Sequence, residues 1–140
     1  MGRINLGRVV LGGIVAGVII NVVEYVLNVV VLADRWREVT AAHNLMPVGM
    51  HAILVFNIIG FIIGLAAVWT YAAIRPRFGE GPGTAFIAAL LIWLVVDLVG
   101  DSYNAVVGLF PLSLTLILVA VSLVETVVAT LVGAYLYKEE

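Results

Sequence analysis

The stretch Asp97-Leu98-Val99-Gly100-Asp101-Ser102-Tyr103-Asn104 sets two carboxylates and an amide inside an apolar run, with Ile92, Leu94, Val95 and Val96 before it and Val106 and Val107 after it. A helix repeats every 3.6 residues, so positions 97, 101 and 104 share one face while the valines and leucines suit lipid or close packing. The run reads as a membrane-spanning helix whose polar stripe requires partners.

Composition extends that reading to the whole chain. Of 140 residues, 64% are hydrophobic and 11% charged, and the mean hydropathy is +1.19. Soluble domains balance about half apolar with a quarter charged residues, so this is the composition of an integral membrane protein. A net charge of -2 gives no electrostatic case for nucleic acid as a partner. The absence of cysteine rules out disulfides, thiol catalysis and Cys-based metal sites.

Crossing the hydrocarbon takes about 20 apolar residues. Four segments qualify, at about 8 to 32, 48 to 74, 84 to 108 and 112 to 137, and predict an all-α, four-helix transmembrane bundle forming a single domain over residues 1 to 140. Arg3 and Arg8 precede the first run in the manner of a signal peptide, but its length and its Glu24 predict a retained helix. Between the first two spans, Trp36, Val39 and Leu45 form one side of a short interfacial helix that begins near Asp34, and Pro47 precedes the second span. The connection Arg75-Pro76-Arg77-Phe78-Gly79-Glu80-Gly81-Pro82-Gly83 is expected to stop the second helix, and Gly108-Leu109-Phe110-Pro111 predicts a tight hairpin between spans three and four.

An even number of spans places both termini on one side. Arg3, Arg8, Arg75, Arg77 and Lys138 gather there against Arg35 and Arg37 on the other, which predicts cytoplasmic termini, in a bacterial inner membrane. Tyr71, Trp69, Tyr135 and Tyr137 are expected in the inner aromatic belt, and Trp36, Tyr103 and Phe110 in the outer one.

Each span also carries a seam of small and polar residues. These are Gly13, Gly17, Asn21, Glu24 and Asn28 in the first, Asn57, Gly60, Gly64, Ala67 and Tyr71 in the second, Trp93, Asp97, Gly100, Asp101, Asn104 and Gly108 in the third, and Ser122, Glu125, Thr126, Ala129 and Gly133 in the fourth. Small residues permit close helix approach in lipid, and polar ones hydrogen-bond across. At about 1.5 Å per residue, Asp97 and Glu125 fall near the midplane, with Glu24, Asn57 and Asp101 farther outward, then Asn28, Asn104 and His51. An Asp at a helix centre costs about 2.5 to 3.5 kcal/mol, so several acids need compensation.

The spans supply no Lys or Arg at that depth. Glu24, Asp97, Asp101 and Glu125 are therefore expected to line a polar site open to the non-cytoplasmic side, supported by Asn21, Asn28, Asn57, Asn104 and His51. Either some acids are protonated, or a cation sits among their oxygens. The cofactor is left unknown by the sequence, a cation being one that this residue set suits. Neutral acids hydrogen-bonded to the asparagines as a purely structural device are the alternative. His51 reads as a hydrogen-bonding helix cap or a ligand. No Ser-His-Asp arrangement, HExxH pattern or Gly-rich phosphate loop points to an enzyme, although a carboxylate-only site stays open.

Asn57-Ile58-Ile59-Gly60 followed by Gly64 resembles the second-helix Asn-x2-Gly signature of small four-helix fluoride channels over about eight residues. That family's Thr/Phe/Ser-rich third-helix motif is absent, and Asp97 and Asp101 would repel an anion. Glu24 in the first span is similar to the proton-coupling glutamate of small multidrug-resistance transporters, which are shorter and lack acids in spans three and four. The layout, with Trp36 after the first span and an acid in the fourth, resembles uncharacterised small bacterial four-helix integral membrane proteins. Together these expectations frame a proton or cation site in a transporter or channel, homo-oligomeric if it transports. The alternative is an accessory subunit docked onto a larger membrane complex through its Gly and polar faces.

Overall fold

Asn5 starts the first helix by accepting, at Oδ1, the Arg8 backbone N–H at 3.0 Å. In the computed structural model, which describes residues 3–139, this helix is α1, Leu6–Tyr25, and it runs on as a π-helical stretch over Val26–Val31. The interfacial helix α2 spans Ala33–Ala42 and the second crossing α3 spans Met50–Phe78. The third crossing is α4, Pro82–Trp93, a π-helical stretch over Leu94–Leu98, and α5, Val99–Val106; α6, Leu112–Tyr135, is the fourth. All four crossings are long and apolar enough to span a membrane, and the chain is a four-helix integral membrane protein.

The α3 helix continues through Pro76 to Phe78, beyond the expected stop at residue 75. A proline in the last turn removes one backbone hydrogen bond instead of disrupting a helix interior. The Gly79 N–H closes the helix on the Arg75 carbonyl at 2.9 Å, and Gly79 at φ +87° and Gly81 at φ +120° make the turn that side-chain-bearing residues resist.

Both termini lie at one end. The Asn5 N–H donates to the Tyr137 hydroxyl at 3.3 Å, and Tyr137 meets Tyr71 edge-on with ring centroids 5.9 Å apart. Tyr71 and Tyr137 are thus buried packing groups rather than members of an aromatic belt, whereas Trp69 and Tyr135 are exposed.

Small residues set the helix spacing. A Cβ on Gly64 would lie 2.6 Å from the Gly13 carbonyl oxygen, and one on Gly133 would lie 2.7 Å from that of Gly12. Around these contacts Ala16, Ala72, Ala85, Ala88 and Ala129 form a core with Val9, Ile20 and Val68. A second core at the opposite end joins Leu27, Leu32, Val39, Leu114 and Leu118, with Trp36 and Phe110 against it. This core holds α2 down by Val39 and Trp36; Leu45 lies beyond the helix end and is exposed.

The packing leaves an asymmetry. Among the described residues, spans one and three share no substantial packing, and α3 packs on the third span along α4. From Leu94 to Val106 the third span packs mainly on α6 and contains no buried residue.

Candidate functional site: an intramembrane carboxyl cluster

The four acids lie on three spans, Glu24 on the first, Asp97 and Asp101 on the third and Glu125 on the fourth. Glu125 on α6 is the anchor, 6% exposed with its Oε2 buried and without a hydrogen-bond partner. The Glu24 carboxyl on α1 lies near enough to that of Glu125 for the two to interact. Asp97 is near enough to both to interact electrostatically, as is Asp101 to Glu24 and Asp97. One oxygen of Asp97, Oδ2, is buried and unpartnered.

The two irregular turns occur at the acids. Glu24 lies two residues before the π-helical stretch of the first span, which closes with the Leu32 N–H donating to the Leu27 carbonyl at 2.8 Å. Asp97 lies within that of the third, where the Val99 N–H reaches the Leu94 carbonyl. Wide turns of this kind recur at functional sites because they re-aim the side chains beside them. No spacing rule marked them in advance.

Among the described residues, Asn28 is the asparagine that hydrogen-bonds an acid. Its Nδ2 donates to Glu24 Oε2 at 2.7 Å and to the Glu24 carbonyl at 3.1 Å, which turns its Oδ1 toward the Trp36 indole N–H at 2.9 Å. The interfacial helix is thereby wired to the acid cluster, a link for which Trp36 gave no sequence signal beyond its amphipathic spacing. Asn21 and Asn57 serve the α1–α3 contact instead: Asn21 Nδ2 donates to the Asn57 carbonyl at 3.1 Å, and Asn57 Nδ2 to Ile53 at 2.7 Å. Asn104 contributes its backbone carbonyl to the hairpin, accepting from Leu109 at 2.9 Å and Phe110 at 3.2 Å. His51 is exposed and does not cap α3, whose N-cap is Gly49 without a side-chain bond.

Trp93 ties the third span to the fourth, its indole N–H donating to the Val119 carbonyl at 3.1 Å. The better-formed concavities flank the acids rather than contain them. One of about 330 Å³ lies between Asn21, Tyr25, Asn57 and Phe61, and one of about 420 Å³ lies under α2 beside Glu38, His43 and Phe110. Among the described residues, no three His, Asp or Glu side chains are grouped so that they could hold a metal ion.

No protein-family model, curated protein or solved structure matches the chain.

Proposed function

We propose that this small membrane protein binds a proton at the Glu24–Glu125 carboxyl pair and that proton binding there serves transport across the membrane. The observation that carries the reading is the buried Glu125 carboxyl, with Oε2 unpartnered and Glu24 opposite it. Two carboxylates in contact repel, whereas a single proton lets one carboxyl donate to the other. No Lys or Arg lies at this depth in any span to neutralise the pair by a salt bridge. Without metal-ligand grouping among the acids, a proton fits the pair better than a caged metal ion.

The proposed setting is a bacterial inner membrane with both termini in the cytoplasm, which puts the α2 end outside. Arg3, Arg8, Arg75, Arg77 and Lys138 at the termini end support that orientation, while of Arg35 and Arg37 the latter is paired with Asp34. Asn28, Trp36 and α2 then lie between the pair and the outer surface. As for docking through the glycine faces, Gly12, Gly13, Gly17, Gly64 and Gly133 are already consumed inside the bundle.

Infrared titration of the reconstituted protein tests the assignment. A protonated-carboxyl band that appears and disappears with pH is expected in the native chain and should lose one component in Glu125→Gln. A Glu125→Gln protein that keeps the whole titrating band, with native helicity, would remove the site.

A further inference from the structure

Charged groups in the membrane interior are paired, solvated or neutral. Among the described residues, Asp97 and Asp101 have no hydrogen-bond or ionic partner, and they sit on the stretch from Leu94 to Val106 whose substantial packing is on α6. Around them Val95, Val99 and Val106 are exposed, and a Cβ on Gly100, between the two aspartates, would meet nothing within 4 Å. Apart from α6, no span packs substantially on this stretch at the depth of the acids. Glu125 on α6 is buried behind it, with Oε2 unpartnered and Asp97 within electrostatic range.

From these observations we infer that this face is a docking surface for a transmembrane helix of another protein that carries a Lys or Arg at the depth of Asp97 and Asp101. Charge complementarity selects the occupant. The face offers carboxylates and no cation, so an incoming ammonium or guanidinium group finds its counterion without leaving the membrane, while Gly100 leaves room for the approaching backbone. A second copy of this chain brings only more acid to this depth, since its Lys and Arg residues lie at the span ends and in the connections. A small inorganic ion lacks the grouping it needs. The inference uses the acidic cluster but not its proton, so it can fail while the infrared titration succeeds, and the reverse.

The test uses the full chain, which has no cysteine, labelled through Lys138→Cys with a donor fluorophore and reconstituted into phosphatidylcholine vesicles. The probe is an acceptor-labelled Leu/Ala transmembrane peptide with one central Lys, compared with the same peptide carrying Leu there. Energy transfer should report association at least about tenfold tighter for the Lys peptide, as one charge pair in a poorly solvating medium produces. Asp97→Asn combined with Asp101→Asn should abolish the preference, and Glu80→Gln should leave it intact. If the double variant loses helicity by circular dichroism, Asp101→Asn alone is read in its place. Equal binding of the two peptides, a preference that survives the aspartate variants, or self-association that excludes the peptide would each overturn the inference.

Discussion

At Gly64 the backbone of α3 lies against Gly13 and Gly17 of α1, and any side chain must displace main chain rather than a flexible tip. Overpacking such a contact costs about 1–3 kcal/mol, so Gly64→Leu should lower the unfolding free energy in detergent by that amount or more. Gly100 provides the contrast. It is helical and open, and Gly100→Ala should leave stability unchanged or raise it by up to about 1 kcal/mol, as alanine does in an unstrained helix. Thermal unfolding of the two variants beside the native chain checks both. The sequence shows Gly13, Gly17, Gly64 and Gly100 alike as seam residues. The distinction between a contact glycine and an open one belongs to packing, because both have the same helical spacing.

At the scale of elements, α2 is held by three contacts of different kinds. Val39 is buried, Trp36 stacks edge-on with Phe110 at 5.2 Å, and the Trp36 indole donates to Asn28. Trp36→Phe keeps the apolar ring and deletes the hydrogen bond, at a cost of about 1 kcal/mol. Faster amide exchange across Ala33–Ala42 is the expected reading, with exchange in α6 unchanged. The π-helical stretch preceding α2 sets the angle at which Trp36 returns to Asn28. Deleting Val30 should restore the ordinary helical register and turn everything beyond it by about 100°. The Trp36–Asn28 contact would then be lost, and exchange in Ala33–Ala42 should accelerate more than in Trp36→Phe. If the deletion leaves that segment as protected as in the native chain, the π-helical turn has no positioning role.

At the scale of the whole molecule, the charge asymmetry and the shared end of the termini make one prediction. An impermeant thiol reagent should label Lys138→Cys in inverted vesicles and not in right-side-out ones, while Leu45→Cys behaves oppositely. Labelling of both cysteines from the same side would contradict the crossing number. Identical labelling with the sides exchanged would instead reverse the orientation and put the α2 end in the cytoplasm.

Hydropathy alone determined that this chain crosses a membrane four times, because about 20 apolar residues in succession have few other stable settings and the four runs are separated by polar or turn-forming residues. The expected spans at about 8 to 32, 48 to 74, 84 to 108 and 112 to 137 meet crossings at Leu6–Val31, Met50–Phe78, Pro82–Val106 and Leu112–Tyr135. The main departure, the helix passing through Pro76, reflects how little one missing hydrogen bond costs in a final turn. Glu24, Asp97, Asp101 and Glu125 were visible as acids on seam positions, since a polar residue in an apolar run needs no structure to be noticed. Their roles were not. Side-chain spacing along one helix carries no information about which neighbour a face meets. Tertiary structure alone therefore decided that Glu125 is buried near Glu24, that Asn28 and not Asn21, Asn57 or Asn104 hydrogen-bonds an acid, and that Asp97 and Asp101 sit on a stretch packed mainly on α6.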